Sequence, residues 1–232
     1  MVAARIRSMT RAHWLALFGG LLACWTALAL MSAPGIYEAL CRTGAGAAGF
    51  PAVAAMWALM GLAMMLPTAL PAFATYDDLP GTDARGFGAL VLGFAAVWAG
   101  FALPAAALQV WVSNAGLLTT PAFTAALFAA AGLYQLSAMK AACLTRCRMP
   151  LTVFMSHWAA GPFRIGLRLG ADCLGCCWAL MALGLIGGTM SLGFMGLAML
   201  LMAMEKLPDI GEAITRPLGV GLIALATLTL LI

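Results

Sequence analysis

Apolar residues run almost without a break through seven stretches of the chain, roughly 14–33, 50–75, 87–112, 118–142, 173–190, 192–207 and 218–232. A helix of about 20 apolar residues crosses a bilayer. The pattern therefore predicts an all-α, polytopic transmembrane helix bundle of about seven spans. The last three stretches are short, and Gly187, Gly188 and Ser191 read as a tight turn, so six spans is the alternative. Proline interrupts the second stretch at Pro67 and Pro71 and the third at Pro104, which membrane helices accept where neighbours satisfy the freed carbonyls. Residues 34–49 read as a small outer loop, 76–86 as an inner loop with turn chemistry at Pro80-Gly81, and 113–117 as a minimal outer turn. The longest connection, 143–172, reads as an inner interfacial loop, its Phe154, Trp158, Phe163, Arg164 and Arg168 suited to headgroup level. No soluble domain interrupts the pattern, so residues 1–232 form a single integral membrane domain.

Composition agrees. Hydrophobic residues make up 64% of the chain and charged ones 9%, where soluble domains carry about 25% charge. The solvent is lipid, and the formal net charge of +4 is no sign of a nucleic-acid partner. The charge is informative through its distribution. With seven spans and a cytoplasmic N-terminus, the inner segments hold Arg5, Arg7, Arg11, Arg85, Lys140, Arg146, Arg148, Arg164, Arg168, Lys206 and Arg216, and the outer ones only Arg42. That asymmetry predicts a multi-pass membrane protein with its N-terminus cytoplasmic and its C-terminus on the outer side. The first apolar run exceeds the 7–15 residues of a signal-peptide core and reads as a retained anchor. No nucleotide-binding glycine loop, HExxH or GxSxG string occurs, so any transport is expected to be passive, ion-coupled or partner-driven, and binding stands ahead of enzymatic activity.

Sulfur is the candidate chemistry. Cys143 and Cys147 are four residues apart, and Cys173, Cys176 and Cys177 lie within one turn, spacings that share a helix face. The topology places both groups at inner helix ends. Reduced thiols clustered in a cytosolic setting point to metal or redox chemistry rather than to disulfides. Thioethers accompany them. Met56, Met60 and Met64 form one stripe, with Met65 beside it; Met195, Met199 and Met202 form another; Met181 lies one turn after Cys177, and Met190 flanks the outer turn. Thiolates and thioethers are soft donors suited to Cu(I), and thiolates also suit zinc. The competing reading is packing, because cysteine and methionine both fill gaps between helices; Cys24 and Cys41 are read that way. Gln109 and Gln135 can hydrogen-bond across helices. Asp172, Glu205 and Lys206 suit ion pairs or support of a metal site. His13 and His157 read as surface residues.

The strings MGLAMMLPTALP (60–71), YQLSAMKAACLTRCRMP (134–150), GLRLGADCLGCCWALM (166–181), GGTM (187–190) and MEK (204–206) occur in that order. Together they resemble a bacterial family of predicted metal-binding integral membrane proteins, a domain of unknown function. The resemblance covers roughly residues 50–232. It implies that Cys143, Cys147, Cys173, Cys176, Cys177, Met64, Met65, Met181, Met190 and Glu205 occupy family-pattern positions. Some relatives are described as copper-associated. The chain departs from the pattern at Leu169, where a histidine precedes the cysteine string.

The leading expectation is Cu(I) handling or delivery, with metal ligands drawn from Cys143, Cys147, Cys173, Cys176, Cys177, Met181, Met64 and Met190, and a metalloenzyme or metallochaperone as partner. One alternative is a structural zinc site using Cys143, Cys147, Cys173 and either Cys176 or Cys177, since four thiolates complete a closed tetrahedron. Others are a membrane thiol–disulfide oxidoreductase and a subunit whose cysteines only pack. Oligomeric state is left open.

Overall fold

The computed structural model describes residues 11–31, 49–187, 191–208 and 210–231, and these are helical almost throughout. In chain order the helices are α1 (Ala12–Met31), α2 (Phe50–Asp77), α3 (Ala84–Asn114), α4 (Pro121–Gln135), α5 (Ala138–Arg148), α6 (Pro150–His157), α7 (Pro162–Ala182), α8 (Gly184–Gly187), α9 (Leu192–Glu205) and α10 (Gly211–Leu231). Short 3-10 turns cover Leu117–Thr119 and Trp158–Ala160. Side-chain caps mark several starts. Asp83 accepts from the Gly86 amide, Ser137 from Lys140 and Ser191 from Phe194, each satisfying an orphan donor of a first turn.

Five of these segments are long and apolar enough to cross a bilayer: Ala12–Met31, Phe50–Asp77, Ala84–Asn114, Pro162–Ile186 and Gly211–Leu231. A sixth arises when α4 and α5, bent by 60° at their junction, are counted as one broken span. The described residues thus give five or six crossings against about seven, and six was the stated alternative. The difference lies in α9. Its 14 residues rise only ~21 Å, short of a ~30 Å hydrocarbon core, and it ends at Glu205, whose side chain turns into the protein.

Two further boundaries move. The fifth span begins at Pro162, not at Cys173. The stretch 143–172 is therefore the end of α5, all of α6 and the first half of α7 rather than one loop. Arg164, Arg168 and Asp172 lowered the hydropathy there, but Asp172 is buried and paired with Arg146 and Arg168. The outer loop 34–49 lies, except for Gly49, outside the described residues.

Missing side chains allow the tightest helix crossings. At the α3–α7 crossing, a Cβ on Gly93 would strike the Phe163 carbonyl, and one on Gly166 would strike the Leu90 carbonyl. Gly170 packs on Val97. Gly132 and Gly219 play the same part between α4 and α10. Small residues at such contacts let backbones approach and gain dispersion where lipid offers no hydrophobic drive. Polar contacts register the bundle: Trp57 donates to Gln109 across α2 and α3 at 2.6 Å, and Trp14 of α1 donates to Asp77 at 2.9 Å.

The break between α4 and α5 is held by charge. Lys140 Nζ lies 2.8 Å from Glu205 Oε2, both side chains are 1% exposed, and Gln135 bridges the two by accepting from Lys140 and donating to Glu205. Arg148 donates through Nε and a terminal nitrogen to the Glu205 carbonyl, at 3.0 and 2.8 Å, capping the end of α9. Lys140 is thus interior and is no orientation signal.

Two outcomes follow from this packing. Gly166→Val should lower the thermal midpoint in detergent by the cost of overpacking, about 1–3 kcal/mol, whereas Gly100→Ala, with open space at its Cβ, should leave it unchanged. Glu205→Gln and Lys140→Met should each destabilise by about 3–5 kcal/mol, because each strands a buried charge. The double variant Lys140→Met/Glu205→Met should recover most of that loss; additive single losses would show that the pair is not what holds the break.

Candidate metal centre

The two cysteine groups meet. α5 lies against α7, which brings Cys147 Sγ to 3.8 Å from Cys176 Sγ. Cys176 Sγ is 3.2 Å from Cys177 Sγ and donates to the Cys173 carbonyl at 3.1 Å. Cys143 reaches α7 at Gly175, where a Cβ would stand 2.6 Å from its sulfur; the glycine makes room for the thiol. Tyr134 donates to the Gly175 carbonyl and its ring packs 4.8 Å from that of Trp178. Cys173, Cys176 and Cys177 are buried, while Cys143 and Cys147 are partly exposed. All five expected cysteines are therefore at one seam.

Their depth differs from expectation. Cys173 is the twelfth residue of α7, so ~16 Å of helix separates it from Pro162. The sulfurs sit midway along the helix instead of at its inner end. A shift of eleven residues in the helix start produces this whole difference.

Lys206 completes the cluster. Its Nζ donates to Cys173 Sγ at 3.1 Å and to Thr68 Oγ1 at 2.6 Å, and Thr68 in turn donates to the Met65 carbonyl. An ammonium in contact with a sulfur compensates negative charge there in a medium that screens little. Lys206 follows Glu205, whose carboxylate holds Lys140 and whose carbonyl holds Arg148. The end of α9 thus joins the sulfur seam to the helix break. The string MEK in an apolar run was the available sequence signal; its contact with Thr68 and Cys173, 138 and 33 residues away, had none.

A cavity of about 200 Å³ reaches this point, with Cys147, Cys173 and Lys206 in its lining and Thr75, Pro150 and Pro208 among its further walls. Leu169 lines it too, so an apolar side chain faces the cavity there. Met64 and Met181 are buried in the same core as the cysteines. Met190 and Cys41 lie outside the described residues, and Cys24 is half-buried on α1. His157 bonds locally to Ser156 and the Val153 carbonyl, and His13 neighbours Asp77; neither reaches the cluster.

Among the described residues, no three of His, Cys, Asp and Glu converge as a closed metal cage. The thiols approach in pairs. Paired soft donors fit Cu(I), which accepts two or three sulfurs, better than zinc, whose structural sites take four ligands around one point.

The family model described as copper chaperone, PpoB2, matches residues 54–229, which takes in α3 to α9 whole and most of α2 and α10. No curated protein and no solved structure matches the chain. By that match across most of its length, this multi-span helical membrane protein belongs to the PpoB2 family of copper chaperones, and copper binding comes with the membership.

Proposed function

We propose that the chain carries Cu(I) at the α5–α7 seam and passes it to a client metalloenzyme or metallochaperone. The approach of Cys147 Sγ to Cys176 Sγ at 3.8 Å, across two helices far apart in sequence, carries this reading. Cys147 and Cys176 are the primary pair of donors, with Cys173 and Cys177 as neighbouring thiols of the same α7 turn. Cys143 stands in reserve beside Gly175. Met64 and Met181 in the core, and Met190 outside the described residues, are weaker, exchangeable thioethers. Binding converts thiols to thiolates and releases protons.

The cavity at Cys147, Cys173 and Lys206 is the exchange route, and a client sulfur enters there. Copper then moves by ligand replacement, the incoming sulfur bonding before an outgoing one leaves. The chain acts as one membrane domain, 1–232, in a bacterial inner membrane with its N-terminus cytoplasmic. Lys140 and Lys206 turn into the protein and drop out of the charge count; Arg5, Arg7, Arg11 and Arg85, which flank the first three spans, support the orientation. The cavity walls from Thr75, Pro150 and Pro208 point to the same side, because Thr75 is close to the α2 end at Asp77.

Protein purified under reducing conditions and loaded with Cu(I) should hold copper stoichiometrically and show a sulfur-to-copper charge-transfer band in the ultraviolet. Cys147→Ser and Cys176→Ser should each abolish the band and lower copper retention at least tenfold against a soluble Cu(I) chelator, a change of about 1.4 kcal/mol or more. Cys24→Ser should match the parent protein. Full retention after both seam substitutions, or displacement of copper by equimolar zinc, would overturn the reading.

A further inference from the structure

A second cavity, of about 300 Å³, lies between the α4–α5 break and α10. No cysteine lines it. We propose that it binds an anionic phospholipid, the phosphate held by Arg148 and Arg216 and an acyl chain laid along Leu136.

Polarity along the cavity runs in one direction. Near the start of α10, Gly211 packs against the Arg148 guanidinium. Two turns on, Gly219 packs against the Leu136 side chain, ~12 Å further along the helix. Arg148 and Arg216 line the cavity together with a single acid, Glu212, so the lining carries a surplus of positive charge. Arg148 is fixed in place by its two bonds to the Glu205 carbonyl. Glu212 stands 4.0 Å from it with a side chain 88% exposed, a contact too solvated to compete strongly. Arg216 is exposed and has no ion-pair partner among the described residues. The hydroxyls of Thr145 and Thr215 also line the cavity, but each donates to a carbonyl of its own helix. Recognition therefore falls to the Arg216 guanidinium, to the donors that Arg148 keeps beyond its bonds to the Glu205 carbonyl, and to the Ser137 hydroxyl, which accepts from the Lys140 amide and keeps its own proton to donate.

The apolar end decides between a lipid and free phosphate. α4 and α10 pack on each other as parts of candidate spans, and beside the cavity they expose Leu133, Leu136 and Val220 at 64%, 46% and 60%. This surface offers an acyl chain a bed continuous with the bilayer. Basic pockets between membrane helices are where anionic headgroups lodge. Arg148 also lines the sulfur-bearing cavity, so the lipid site and the copper route share one wall.

The test uses the whole protein in nanodiscs made from phosphatidylglycerol and phosphatidylcholine with identical chains, with retained lipid counted by native mass spectrometry. The parent protein should retain phosphatidylglycerol about fivefold over phosphatidylcholine, and Arg216→Gln should bring that ratio close to one. Arg164→Gln, an exposed arginine outside the cavity, should leave the ratio unchanged. Millimolar inorganic phosphate should not displace the lipid. Equal retention of the two lipids, an unaltered ratio in Arg216→Gln, an equal loss in Arg164→Gln, or displacement by phosphate alone would each overturn the proposal.

Discussion

The contact between Lys140 and Glu205 is the constraint on which the rest depends. An ion pair inside a membrane bundle survives only when every donor and acceptor around it is satisfied. Here Gln135 fills the gap between the two charges, and Arg148 takes up the carbonyl at the end of α9. The pair fixes where α4 stops and in what direction α5 leaves. α5 departs at 60° and so lies along α7, and only in that pose do the sulfurs of Cys143 and Cys147 reach the turn that holds Cys173, Cys176 and Cys177. A straight continuation of α4 would have carried both cysteines past the seam.

Charge also fits a monovalent cargo. Two thiolates around one Cu(I) carry a net charge of minus one, which the Lys206 ammonium beside Cys173 offsets. Four thiolates around zinc carry minus two, and among the described residues one cation, Lys206, touches the sulfurs directly. Arg146 and Arg168 are occupied by Asp172. In a medium of low dielectric constant an unbalanced charge is expensive, so the surroundings of the sulfurs favour the smaller charge.

Spacing was legible in the sequence and depth was not. The four-residue separation of Cys143 and Cys147 and the tight group at 173–177 marked helix faces, and those faces do meet. Their level along the bundle depended on where the fifth span begins, and hydropathy put that point too late because Arg164, Arg168 and Asp172 look like a loop when their pairing is unknown. The break at Leu136–Ser137 had one local sign, Ser137 as an N-cap, hidden within a run apolar enough to pass for a single helix. Glu205 and Lys206 were visible as ionisable residues at the end of an apolar stretch. Their direction was not, because hydropathy cannot tell a charge that leaves for the interface from one that turns inward to a partner. The methionine stripes marked buried faces, and burial does place Met64 and Met181 in the core that holds the cysteines.

A copper carrier must hold its ion firmly and still let it go, and the position of the sulfurs accommodates both. Cys173, Cys176 and Cys177 are shielded from solvent, so chelators and oxidants in water meet them rarely. Dissociation of a bare ion into an apolar interior is closed off by the cost of desolvated charge. Release therefore requires an arriving ligand, and the cavity of about 200 Å³ has room for a side chain of cysteine or methionine size. Cys147, on the bent helix and partly exposed, is the sulfur that such a ligand meets first. The helix break then has a structural consequence: it sets Cys147 on a separate short segment, α5, while Cys173, Cys176 and Cys177 stay together in α7.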